Sequence, residues 1–137
     1  KEDVDTIARR GSPIVVCPGT IRYFRRRSPP VPTWLDRGIA VALGTDSLSS
    51  NTELSMRAEM AQARSMWPEL SPAAVLAMAT IHGQRALCRQ GSPGLRRGGA
   101  ASFVAVPCEG DTHECMEAFT ANERQPAQVW FQGQRIL

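Results

Sequence analysis

The run Ile39-Ala40-Val41-Ala42-Leu43 is apolar throughout and passes without a polar transition into Gly44-Thr45-Asp46-Ser47. A carboxylate that directly follows a buried strand is placed for chemistry, because loops at the C-terminal ends of strands in parallel α/β folds present polar side chains to a cleft. Asp46, partly desolvated at such a strand end, is suited to bind a divalent cation or to take a proton from water. Hydroxyls surround it in the sequence: Thr45, Ser47, Ser49 and Ser50 on the same segment, and Thr20 just beyond the earlier apolar run Ile14-Val15-Val16-Cys17. An aspartate in this place also serves to cap a turn or the next helix. Spacing alone leaves both roles open.

The elements that must position these groups follow from local pattern. Residues 3–10 put acids early and bases late and stop at Gly11, the charge order and terminal glycine of a short helix. Ile14 to Cys17, ended by Pro18-Gly19, and Ile39 to Leu43 are continuous apolar runs, as expected of strands buried on both faces in a parallel sheet. Between them, Tyr23 to Pro32 holds three arginines and three prolines and reads as a surface loop leading to a short helix through Trp34 and Leu35 that ends at Gly38. Asn51 is a natural N-cap, with Leu54, Ala58, Ala61 and Ser65 on one face of the helix after it. Ser71-Pro72 starts another, continued by Val75, Ala79 and Leu87. Two apolar strands each followed by a helix predict right-handed parallel crossover units.

Near residue 90 helical periodicity gives way to β pattern, which predicts a domain boundary between 1–90 and 91–137. Ser102 to Val106 reads as a strand, followed by a polar loop. Val129 to Phe131 and Arg135 to Leu137, joined by Gln132-Gly133-Gln134, read as a hairpin.

Composition excludes several function classes. A chain of 137 residues with net charge +3 and 42% hydrophobic residues is that of a globular domain, without the basic excess of a nucleic-acid binder. The triplet Arg25-Arg26-Arg27 reads as a solvated loop, and neither nucleic acid nor membrane is an expected partner. No apolar stretch approaches the roughly 20 residues that cross a bilayer, and the first residues do not resemble a signal peptide, so a cytoplasmic location is the default. The four cysteines are irregularly spaced, which argues for reduced thiols, with Cys17 and Cys88 as small core residues. Cys108, His113 and Cys115 lack the paired spacing of a zinc site, and His82 reads as a packed helix residue.

"VVCPGT", "RGIAVALGTDSLSSNTELSMRAEMAQA", "LSPAAVLAMATIHGQRAL" and "GSPGLRRGGAASFVAV", in this order, resemble the C-terminal portion of the metal-dependent amidohydrolase superfamily. The likeness is to the branch of heterocycle aminohydrolases and triazine chlorohydrolases. It implies an α/β fold: a TIM (β/α)8 barrel of which this chain supplies strands seven (Ile14 to Cys17) and eight (Ile39 to Leu43) with their helices, plus strands of a small β-sandwich. It also implies one divalent metal ion, zinc in preference to iron. Asp46 would be a metal ligand and would accept a proton from the attacking water, in hydrolytic deamination of a heterocyclic or nucleoside-like small molecule. Thr20, Ile21 and Ser47 would contact the substrate, and Ser47 and Asn51 would shape the site and start the following helix. The full-length protein is expected to be a homo-oligomer.

The chain departs from that pattern in ways that matter. A TIM barrel needs about 250 residues. The family's histidine ligands have no counterpart here, since neither His82 nor His113 matches a ligand position, and they are expected upstream of Lys1. The histidine that often precedes Cys-Pro is Val16, and the sandwich signature reads Gly98-Gly99-Ala100-Ala101-Ser102 without its charged pair. The 137-residue chain by itself is therefore expected to be inactive. Two other readings stay open: a degenerate chain without chemistry, and an independent α/β binding module using the Thr20 and Asp46 strand ends.

Overall fold

The computed structural model describes residues 2–89, 94–122 and 124–137. The boundary expected near residue 90 falls where residues lie outside those described.

The chain is α/β. Helix α1 (Glu2–Arg10) carries acids in its first turn and bases in its last, and Gly11 ends it with φ +62. Its Val4, Ile7 and Ala8 pack against the core. Strands β1 (Ile14–Val16) and β2 (Val41–Leu43) then pair in parallel, with Ile14 opposite Val41 and Val16 opposite Leu43. Both are shorter than the apolar runs that announce them. The crossover holds two short helices, α2 (Pro18–Tyr23) and α3 (Val31–Asp36). The segment after β1 is helical from Pro18, because proline fits the first helical turn.

Helix α4 (Met56–Met66) starts later than expected. Its N-cap is Ser55, whose hydroxyl accepts from the Ala58 N–H at 3.2 Å, and Asn51 is used elsewhere. Ser71 caps α5 (Pro72–Ala79) as its Ser-Pro pair predicts, accepting from the Ala74 N–H. The single helix expected through Leu87 is broken at Thr80, with α6 (Ile81–Ala86) following. Thr80 returns its hydroxyl to the Leu76 carbonyl at 2.6 Å, a bond that competes with helix continuation. His82 on α6 bonds through Nδ1 to the Val41 carbonyl at 2.9 Å, which ties the new helix to β2.

Val16, Val31, Ile39, Val41, Leu43, Met60, Ala63, Trp67, Val75 and Met78 form the buried core between β1–β2 and the helices. Trp67 satisfies its indole N–H on the Pro29 carbonyl at 2.9 Å, which holds the proline-rich loop over the core.

The C-terminal part is a three-stranded antiparallel sheet in the order β3 (Phe103–Ala105), β4 (Gln128–Phe131), β5 (Gln134–Arg135). Phe103 and Trp130 are cross-strand partners whose rings stack at 5.8 Å. The β4–β5 turn has φ +49 at Gln132 and +82 at Gly133, the backbone of a tight hairpin. Between β3 and β4 the expected polar loop contains helix α7 (Thr112–Thr120). Asp111 accepts from the Glu114 N–H, and Glu114 accepts from the Asp111 N–H, a complete capping box.

The cysteine expectations need correcting. Cys108 and Cys115 form a disulfide, with Cα atoms 5.5 Å apart, because the turn into α7 folds the chain back between them. Cys88 is exposed and Cys17 only half-buried, so neither is a core residue. No helix among the described residues is long and apolar enough to cross a membrane.

Candidate active site

Asp46 lies three residues beyond the end of β2, and Thr20 lies on α2 just beyond β1, so the parallel pairing brings them side by side. The Asp46 carboxylate accepts at Oδ2 from the Thr20 hydroxyl at 3.2 Å and from the Ser50 hydroxyl at 2.7 Å. Asp46 has φ +55, in the left-handed region that non-glycine residues enter at a cost and that aspartate tolerates better than most. Strain of this kind gathers at functional sites. The alternative role as a helix cap is not the one seen, since α4 is capped by Ser55.

Asp46 is exposed, where a partly desolvated carboxylate was expected. Two strands form a ledge rather than a closed cleft, and nothing among the described residues covers it. Ser50 by contrast is buried, with 6% of its surface accessible.

The other sequence-predicted residues fare differently. The Ser47 hydroxyl lies 2.6 Å from that of Ser49 and 3.4 Å from that of Ser50, so it joins the hydroxyl cluster without touching the Asp46 carboxylate. Ile21 is half-buried on α2, and its recorded bonds are backbone contacts to Cys17 and Arg26. Burial pushes the Cys17 thiol up, and the carboxylates of Asp46 and Glu59 add to the rise. The thiol therefore stays protonated, which makes it a poor nucleophile.

Two residues lie beneath the site: Asn51, expected to shape it, and Glu59, which went unrecognised in the sequence. Glu59 is 1% exposed and Asn51 5% exposed. Glu59 accepts from the Gly19 N–H at 2.8 Å and from the Asn51 amide at 2.5 Å, and the Asn51 amide also donates to the Thr45 carbonyl at 2.9 Å. Gly19 leaves room for this approach: a Cβ there would meet the Asn51 amide atoms at 2.5 Å and Glu59 Oε1 at 2.6 Å, so these side-chain ends would have to shift. A usable signal existed in the helix period. Met56, Met60, Ala63 and Trp67 mark the inner face of α4, and Glu59 falls among them at the i+3 position from Met56.

A profile of the amidohydrolase family matches residues 1–136. The chain is 35% identical over 97 residues to aminodeoxyfutalosine deaminase of Deinococcus radiodurans, an alignment covering 71% of this chain and 23% of that protein. It is 38% identical over 112 residues to 5-methylthioadenosine/S-adenosylhomocysteine deaminase of Desulfovibrio desulfuricans, covering 77% and 26%. An adenosine deaminase from Xanthomonas campestris, solved with bound zinc, superposes on 99% of this chain and 34% of its own with a TM-score of 0.85 at 24% identity. Guanine deaminase of E. coli superposes on 100% of this chain and 36% of its own, also with a TM-score of 0.85, at 16% identity. These two likenesses speak for the fold. The chain spans well under half the length of each of these relatives.

Proposed function

Because this chain belongs to the amidohydrolase family, we propose that it is part of a metal-dependent hydrolase that deaminates a heterocyclic, nucleoside-like small molecule, with Asp46 as its reacting carboxylate. The observation that carries this reading is the Asp46 carboxylate itself, set at the end of a parallel strand and held on one oxygen by Thr20 and Ser50. The names of the curated relatives support the substrate class, since one is an aminodeoxyfutalosine deaminase and the other a 5-methylthioadenosine/S-adenosylhomocysteine deaminase. On this reading β1 and β2 are strands seven and eight of a TIM barrel, residues 1–90 belong to the barrel, and β3–β5 contribute to a small sandwich.

Asp46 suits a metal as one ligand. Both recorded donors engage Oδ2, which leaves Oδ1 for a cation. Among the described residues no cluster of three or more His, Cys, Asp or Glu could hold a metal by itself, so the other ligands come from outside them. The metal, zinc in preference to iron, supplies when bound a water of lowered pKa and hence a nucleophile at neutral pH.

The chain's own residues then have separable tasks. Asp46 takes a proton from water as the water oxygen bonds to the ring carbon, and returns it to the exocyclic nitrogen, which leaves as ammonia when the C–N bond breaks. Ser50 and Thr20 fix the orientation of the carboxylate. Thr20, Ser47 and the apolar Ile21 meet the substrate.

The test is ammonia release by the metal-loaded full-length protein from 5-methylthioadenosine, S-adenosylhomocysteine, adenosine and guanine. Asp46→Asn is expected to lower turnover by about 10³-fold or more with the circular dichroism spectrum unchanged. Wild-type rates in that variant remove Asp46 from the reaction, and a failure to release ammonia from any of the four substrates or from aminodeoxyfutalosine removes the deaminase reading.

A further inference from the structure

Beneath the strand ends lies a carboxyl group to which the proposed chemistry gives no task. Glu59 sits on the inner face of α4 among Ala58, Met60 and Ala63, all buried and apolar. Packing alone would be served there by another apolar side chain, and a buried carboxyl is costly unless every oxygen is engaged. Both of its oxygens are. Oε2 accepts from the Gly19 N–H and Oε1 from the Asn51 amide. Asn51 passes the connection to the Thr45 carbonyl, while its own Oδ1 accepts from the Thr52 N–H at 2.8 Å.

The targets of these bonds are the informative part. Gly19 immediately precedes Thr20, and Thr45 immediately precedes Asp46, so one carboxyl holds the backbone just before each member of the Thr20–Asp46 pair. The two loops come from different strands and are 26 residues apart at Thr20 and Asp46, yet they share this single internal support. The fit leaves no slack, since even one added carbon at Gly19 would collide with both Asn51 and Glu59.

We infer that Glu59, acting through Gly19 and Asn51, is a positioning residue that sets the Asp46 carboxylate and the Thr20 hydroxyl relative to each other for the reaction. It touches neither substrate nor the reacting atoms. The inference rests on the reading of Asp46 given above. Its physical basis is that a displacement of about 1 Å at a reacting group can cost about 10²-fold in rate. Thr20 and Ser50 hold the Asp46 carboxylate itself, while the bonds through Glu59 and Asn51 hold the backbone that carries Thr20 and Asp46.

The experiment uses the metal-loaded full-length protein with Glu59→Gln. Glutamine offers one acceptor oxygen where the carboxyl offers two, so either the Gly19 N–H or the Asn51 amide then faces an N–H. The expected result has two parts: faster hydrogen exchange at the Gly19 amide with Met60 and Ala63 amides still protected, and kcat lowered about 10²-fold with KM changed less than about threefold. Asn51→Ser, which releases the Thr45 carbonyl, Glu59 Oε1 and the Thr52 N–H but leaves the Glu59 bond to Gly19, is expected to lower kcat in the same way and serves if Glu59→Gln does not fold. Unchanged exchange at Gly19 in Glu59→Gln overturns the brace. A kcat that falls only in proportion to the folded fraction reduces Glu59 to a structural role and overturns the proposal. Turnover lost in Asp46→Asn but retained in both brace variants overturns this proposal alone, whereas turnover retained in Asp46→Asn overturns the active-site reading and the proposal with it.

Discussion

Ser50, buried at the foot of the turn after β2, donates its hydroxyl to Oδ2 of the exposed Asp46 carboxylate at 2.7 Å. A short hydrogen bond to a charged acceptor is among the stronger kinds. It also divides the labour of the carboxylate: the Ser50 and Thr20 hydroxyls both engage Oδ2 and leave Oδ1 free of those bonds. Ser50→Ala is expected to lower kcat/KM of the full-length protein by about tenfold to a hundredfold, the equivalent of about 1.5–3 kcal/mol for a hydrogen bond to a charged group. Steady-state kinetics decides it, and a rate equal to wild type shows that the carboxylate is oriented without Ser50.

Thr20 makes the second bond to the same oxygen, at 3.2 Å. The longer bond is the weaker one. Thr20→Val, which keeps the branched shape and removes the hydroxyl, is therefore expected to cost less than Ser50→Ala, by a factor of at least about three in kcat/KM. The opposite order in parallel assays means that Thr20 contributes a substrate contact larger than its bond to Asp46.

How much of this was legible in the sequence depended on whether the signal was local. The charge order of α1, the apolar runs of β1 and β2, the Ser71-Pro72 start of α5 and the β4–β5 hairpin each state their structure within a few residues, and each is found near its expected place. Asp46 was legible for the same reason, as a carboxylate breaking an apolar run. Asn51 misled because its type suits an N-cap, while the fold spends it on Thr45 and Glu59, residues whose nearness depends on how α4 packs. Starting the helix at Asn51 turned the inferred inner face toward Leu54, Ala58, Ala61 and Ser65, of which Ala58 is buried but Leu54 is 57% exposed, and so hid Glu59. Helix α7 is a different failure, because its Asp111-x-x-Glu114 capping box was written in the sequence and was outweighed by the polarity around it. The Thr20–Asp46 bond could not be read from spacing at all, since the parallel pairing of β1 with β2 creates it.

Met78 on α5 is fully buried beside Val75 in the core under β2. Truncating it leaves a cavity that rigid neighbours on a strand and two helices can fill only in part. Met78→Ala is expected to destabilise by about 2–5 kcal/mol. A urea midpoint that shifts with unchanged slope reports it, and a shift worth less than about 1 kcal/mol means that the core around α5 collapses freely.

Helix α7 is held by acids whose protonation weakens it. The Glu114 N–H bonded to Asp111 holds that carboxyl below the usual carboxylate range, and the Arg64 guanidinium bonded to Glu117 does the same on the face toward α4. Arg64 also donates to the Thr120 hydroxyl at 3.1 Å, so the same contact docks the end of the helix. Because both carboxyls titrate lower in the folded chain than in the unfolded one, their stabilisation is whole above the ordinary carboxylate values of about 4 and declines as pH falls below them. It is gone once pH passes below the lowered folded values. Amide protection factors across Thr112–Thr120, corrected for the intrinsic pH dependence of exchange, are therefore expected to fall as pH drops below about 4, ahead of those at Val75 and Met78. Asp111→Ala is expected to fray the first turn already at neutral pH and to flatten that acid dependence. Exchange in α7 that follows the core at every pH means that the helix unfolds with the whole and that its cap and its bond to Arg64 set no separate threshold.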